Sequence, residues 1–360
     1  WQFPFSSRVS RQVDHTTWRR VAVPISSTPR RSVAMDQGSH ETDECLAALR
    51  GELRQLDADG AVEQLLSDAV DVGAAPLAPQ LRHSFAAILQ AERGTLAEAD
   101  AYGMQALQQA AWEKLHSGYW RSVPVVWREL YALSCLLAAG SHLLQSEPSR
   151  GMAQALRELD MGAMMGGPRL ASAVAAAAGA CQMALQAPLA QQASLRGGEA
   201  ARGQEEVTVS LPEGSLDAGN GRLVPCRTLP SLEEFLLEHM LAGEGGEPVV
   251  IEGGMAGWPA MSRWADLGYL KHQCGFRTVP VEVGEHYLAD GWTQRLMTLS
   301  DFITRHVEGG CGDGERAYLA QHPLFDQIPA LRADIMTPEY CSLGEGEMQA
   351  VNAWFGPSGT

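Results

Sequence analysis

His306-Val307-Glu308 is the spacing in this 360-residue chain that comes nearest to a metal centre. A non-haem iron site needs two His and one carboxylate on one face. A His-x-acid pair supplies two of these in a strand, where residues two apart point the same way. The surrounding "TLSDFITRHV" has helical spacing, and residues two apart on a helix diverge by roughly 200° around the axis. The pair therefore reads as a decoy. Two other side chains could serve a pocket: Tyr287, in "VEVGEHYLADGW", could donate its hydroxyl, and Glu252, closing "PVVIE", could pair bidentately with a guanidinium. Pattern alone favours an exposed strand-end tyrosine and an exposed turn carboxylate. There is no GxSxG, P-loop or HExxH stretch, and the Gly-rich loop at 309–314 lacks GxGxxG spacing.

The elements around these residues fall into two halves. Over 41–190 apolar residues recur three and four apart, as in "TDECLAALRGELRQL" and "AVEQLLSDAV", which predicts long helices in a bundle or repeat-like array. Trp112, Trp120, Trp127 and Tyr131 are read as packing between helices. "LASAVAAAAGACQMALQAPLA" has the length of a membrane span, but it is mostly Ala, so a buried bundle helix is expected. A polar, Gly-rich linker follows at 191–222, and a second domain at 223–360.

In that second domain the period changes. "SLEEFLLEHML" opens with the capping box Ser231 and Glu234, and "TLSDFITRHV" is a further capped helix. "EPVVIEGG", "RTVPVEVG", "AYLAQ" and "NAWFGPSGT" read as short strands, with Pro280 placing the second at an edge or a bulge. The mixture predicts an α+β domain with a sheet still incomplete at Thr360. Residues 1–40 are basic, acid-poor and begin with Trp1; they are expected to be disordered or non-native and to lie outside the fold.

A net charge of −16 with only two lysines, Lys114 and Lys271, argues against direct nucleic-acid binding. The seven cysteines stand singly, without CxxC, which suits a reducing compartment and gives no support to a zinc ribbon.

"PVVIEGGMAGWPAMSRW", "RTVPVEVG", "YLAQHPLFDQIPAL" and "NAWFGPSGT" resemble the opening part of a Jumonji-C (JmjC) domain. "AWEKLHSGYWRSVPVVWRELYALSCLL" and "MGAMMGG" in the helical half match the same family, so the resemblance spans roughly 45–360. It implies an all-α helical domain followed by the first part of a double-stranded β-helix, the jelly-roll, cupin-like JmjC domain. It also implies Fe(II) and 2-oxoglutarate in the complete protein and a protein or histone-tail substrate bearing arginine or methyl-lysine. The implied activity is hydroxylation of protein arginine side chains; histone-lysine demethylation and histone-tail cleavage are also claimed for the family. No membrane is implied, and the location is nuclear, with the cytoplasm also open.

By the same resemblance Tyr287 is expected to hydrogen-bond 2-oxoglutarate, and Trp354 and Glu252 are expected to line a substrate-arginine pocket. In the family, the segment matching "WFGPSGT" runs into the iron-binding His-x-Asp. The metal ligands are therefore expected beyond Thr360, no residue of this chain is expected to hold iron, and the chain taken alone is expected to be inactive. The alternative is a short form that acts as a protein-interaction module through its helical domain.

Overall fold

The computed structural model describes residues 31–196, 224–243, 246–284, 292–309, 316–344 and 351–357, with side chains described from 38 on, apart from 120 and 188–196. The N-terminal part is a stack of helices: α1 (Arg31–Ala58), α2 (Ala61–Asp71), α3 (Ala78–Gln90), α4 (Glu98–Leu115), α5 (Val125–Gln145), α6 (Pro148–Met165) and α7 (Ala171–Arg196). The three-and-four spacing becomes buried stripes, such as Cys45, Leu46, Leu49, Leu53 and Leu56 on α1. Gly60 makes the αL turn between α1 and α2 with φ 70°.

Helix α5 is buried almost all round from Trp127 to Leu144, and it packs between α4 and α6. Its Gly140 allows α3 to come close, because a Cβ there would stand 2.8 Å from Ile88 Cγ2. Trp127 and Tyr131 are buried, and the Trp112 and Tyr131 rings lie 5.7 Å apart, so these aromatics pack between helices. Lys114 places its ammonium 5.6 Å from the centroid of the Trp127 ring.

The stretch Pro168–Ala187 is long and apolar enough to cross a membrane by length and composition. In the fold its Ala173, Val174, Ala177, Ala178 and Cys181 form a buried stripe, and α7 packs on α6.

Both ends of the helical part differ from expectation. Of the stretch 1–40, expected to lie outside the fold, residues 31–40 are helical but only 38–40 belong to the compact unit that begins at Gly38, and residues 1–30 fall outside the described residues. From residue 39 on the helix is tied in, since Arg93 Nη1 donates to Ser39 O at 3.3 Å. At the other end α7 continues to Arg196, into the stretch expected as linker.

The C-terminal part holds two sheets. In the smaller, β1 (Cys226–Thr228) pairs in parallel with β2 (Val250–Glu252). In the larger, β3 (Thr278–Val283), β4 (Thr293–Thr298), β5 (Ala317–His322) and β6 (Ala353–Phe355) form an antiparallel sheet in the order β4-β3-β5-β6. Val279, Val281 and Val283 of β3, Ala317 and Leu319 of β5, and the helical residues Leu270, Phe302 and Phe325 build its core. Ser231 and Glu234 complete the expected capping box, and Thr298 caps the next helix by accepting from Asp301 N at 3.1 Å.

Pro280, expected at an edge or a bulge, lies in an interior strand. There it pairs in register only with Leu296 of β4, because the β3–β5 ladder is confined to Glu282 and Val283. Its missing N–H faces no ladder on the β5 side, and that is why an inner strand tolerates it.

Candidate functional site

Strand alternation divides the larger sheet into two faces. Val279, Val281 and Val283 point to the helical side, so Glu282 points away from it; on β5 Ala317 and Leu319 point to the core and Tyr318 away. On β6 Phe355 packs edge-on against Phe302, with ring centroids 5.5 Å apart, which leaves Trp354 on the other face, 56% exposed. Glu282 and Tyr318 are register partners, and Leu319 pairs with Phe355. A carboxylate, a phenol and an indole therefore share one face on three successive strands; β3 and β6 are about 10 Å apart across it, two strand spacings, and Trp354 stands two residues along β6 from the position opposite Tyr318. Such a set can take a guanidinium, which pairs bidentately with a carboxylate and stacks on an indole.

Of the residues singled out from the sequence, Trp354 lies on this face. Glu252 lies in the smaller sheet, exposed, where Thr228 Oγ1 donates to its Oε2 at 3.1 Å. Tyr287 falls outside the described residues. Sequence reading passed over Glu282 and Tyr318. The signal for Glu282 was available in "TVPVEV", where three valines two apart fix the opposite face for the residue between the last pair.

His306 and Glu308 lie in the helical segment Ile303–Glu308, and Lys271 Nζ donates to Glu308 Oε2 at 2.5 Å. Among the described residues no three His, Cys, Asp or Glu side chains gather as a metal centre requires. The described residues therefore do not provide the donor set for the iron that the resemblance implies.

Among the described residues, a buried polar cluster joins α6 and α7 to the start of β3 and the end of β5. Asp160 of α6 is fully buried and accepts from Arg277 Nε at 2.8 Å, Arg277 Nη2 at 2.6 Å, Thr278 N at 2.7 Å and Gln327 Nε2 at 2.8 Å. Arg277 Nη1 donates to Gln182 Oε1 of α7 at 2.8 Å. Gln327 Nε2 also donates to Thr278 O at 2.8 Å, so its Oε1 faces His322 Nε2 at 2.6 Å. That orientation requires His322 to carry its proton on Nε2. Burial lowers the pKa of His322 from its ordinary value, opposed by the bond to Gln327 and by the Asp160 and Asp326 charges.

A second buried acid, Asp334, accepts from Arg263 Nη1 at 2.6 Å, Tyr269 Oη at 2.7 Å and Trp264 Nε1 at 2.9 Å. Burial raises its pKa, but these three donors outweigh it and hold the carboxyl below the usual range.

The chain matches the family model described as KDM8-like, N-terminal ARM repeats over residues 82–202, and the model of the Cupin-like domain over 234–360. It is 40% identical over 296 residues to lysine-specific demethylase JMJ30 of Arabidopsis thaliana, covering 72% of this chain and 63% of that protein. It is 36% identical over 254 residues to lysine-specific demethylase 8 of Danio rerio, covering 69% and 60%. The protein of that name from Xenopus tropicalis is 32% identical over 316 residues, covering 74% and 68%. The chain thus spans less than two thirds of the length of the first two relatives.

Proposed function

The chain belongs to the lysine-specific demethylase 8 family of JmjC-domain proteins, and from that premise we propose that the protein functions as a 2-oxoglutarate-dependent hydroxylase of protein arginine side chains. The family is one of Fe(II)- and 2-oxoglutarate-dependent JmjC hydroxylases and demethylases.

The observation that supports arginine is the face shared by Glu282, Tyr318 and Trp354. A carboxylate two strands from an open indole suits a planar guanidinium, which uses both. A fully methylated lysine has no N–H to donate and would meet the carboxylate by charge alone, without the bidentate fork. We assign Glu282 to the guanidinium fork and Trp354 to the stacking surface, with Glu252 as the alternative carboxylate. Tyr287 is proposed as the hydrogen-bond donor to 2-oxoglutarate. The nucleus, with the cytoplasm as second compartment, is proposed as the location from the resemblance. The 360-residue chain alone is proposed to be inactive, because its one His-x-acid spacing is helical and Glu308 is engaged by Lys271.

The test compares native protein, captured with an antibody to the helical part, with the purified 360-residue chain. Each is incubated with Fe(II), 2-oxoglutarate, ascorbate and arginine-containing histone-tail peptides. The native protein is expected to release succinate and add one oxygen atom to arginine, and the chain alone to do neither. In the native protein Glu282→Gln is expected to raise the peptide KM more than Glu252→Gln does. Demethylation of methyl-lysine peptides without arginine oxidation would overturn the substrate assignment, and succinate release by the chain alone would overturn its inactivity.

A further inference from the structure

Strands β3 and β5 carry Glu282 and Tyr318, yet their backbone ladder has only two pairs, Glu282 with Tyr318 and Val283 with Ala317. Extending that register would set Thr278 opposite His322. The ladder does not reach them. Within β5 Gln321 adopts φ 53°, in the left-handed region that a non-glycine residue rarely enters, and the β5–β6 register shifts between Leu319 and His322. This bulge lies at the end where Thr278 and His322 would have met, and the β3–β5 ladder stops short of it.

At that end a side-chain bridge stands in for the missing ladder. Gln327 Nε2 donates to Thr278 O and its Oε1 accepts from His322, which joins β3 to β5. Both the amide of Gln327 and the backbone N–H of Thr278 are anchored on the Asp160 carboxylate. Asp160 belongs to α6, in the helical part, and it is neutralised by Arg277, the residue before β3. One carboxylate therefore fixes the start of β3 and, through Gln327, the end of β5. From those points each strand runs four residues to Glu282 or Tyr318, about 13 Å at strand rise.

We propose that Asp160, acting through Gln327, is a positioning residue: the helical part supplies the anchor that sets β3 against β5 and so places Glu282 and Tyr318 on the open face. The arginine arm of the test below rests on the function proposed above; the positioning itself does not.

Gln327→Leu removes the bridge and leaves the Asp160–Arg277 ion pair, so it tests the link without leaving that buried pair broken; Asp160→Asn is the second variant. Hydrogen exchange is followed in the 360-residue chain, together with the 19F resonance of Trp354 in 5-fluorotryptophan protein, assigned by its loss in Trp354→Phe. Gln327→Leu is expected to speed exchange at the β3 and β5 amides at least tenfold, leave α5 amides unchanged and shift the Trp354 resonance. Asp160→Asn is expected to do the same to a larger extent. The peptide Gly-Arg-Gly, titrated against the same resonance, is expected to bind the variant at least tenfold more weakly. Unchanged β3 and β5 exchange in Gln327→Leu, or equal loss of protection in α5, would overturn the positioning role. If Gly-Arg-Gly moves no resonance of the unmodified chain while the exchange pattern changes as expected, positioning stands and the arginine reading fails.

Discussion

At the scale of single residues, His322 and Asp160 show how burial turns ordinary side chains into constraints. His322 is buried with its proton committed to Gln327, and burial lowers its pKa. The unfolded chain takes up a proton near the ordinary pKa of about 6.5, while the folded chain resists it to lower pH. The contribution of His322 is therefore full above that value and is lost as pH falls through it towards the folded pKa. Urea midpoints between pH 7.5 and pH 5 are expected to fall, and His322→Gln, which keeps a donor for Gln327 but does not titrate, to show a shallower fall; parallel pH curves would contradict this. Asp160 left one trace in the sequence. It stands four residues after Leu156 and next to Leu159, on an otherwise buried apolar stripe, where a lone carboxylate needs a partner. Its partner, Arg277, is 117 residues away in the chain, and no local pattern connects the two.

At the scale of elements, legibility followed periodicity. The helices from α1 to α7 were readable because their apolar residues recur at helical spacing, and β3 because its valines alternate. Strands β1 and β4 were not, since "CRT" is three exposed residues and "TQRLMT" puts no buried residue on either face. The start of α1 was obscured by basic and polar composition, and the open face of the sheet by the absence of any signal for which strands lie side by side. The α3–α5 crossing gives a test at this scale. Alanine at position 140 gains about 1 kcal/mol of helix propensity. Its Cβ would press Ile88 Cγ2 at 2.8 Å and Cδ1 at 3.1 Å, and Ile88 is fully buried. Overpacking of this kind costs about 1–3 kcal/mol. Gly140→Ala is therefore expected to lower the melting temperature, and the double variant with Ile88→Ala to lose less stability than the two single losses combined; additive losses in thermal denaturation would refute the contact.

At the scale of the whole molecule, residues 38–360 form one compact unit that contains both the helices and the sheets. The buried bonds from Asp160 and Gln182 to Arg277 make the two parts interdependent. Urea unfolding followed by far-UV circular dichroism, which reports the helices, and by fluorotryptophan at Trp264, which reports the sheet part, is expected to give coincident transitions. Arg277→Ala is expected to separate them, with the Trp264 signal changing first. Two transitions in the unmodified chain would show that the parts fold independently. Lys114 lies over the Trp127 ring and Lys271 is paired with Glu308, and these are the two lysines of the chain. Any conjugation that needs a lysine amine, ubiquitin attachment included, has only these two side chains to use, and each is freed by a rotamer change that gives up one surface contact, so two positions set where this sequence can be tagged for turnover.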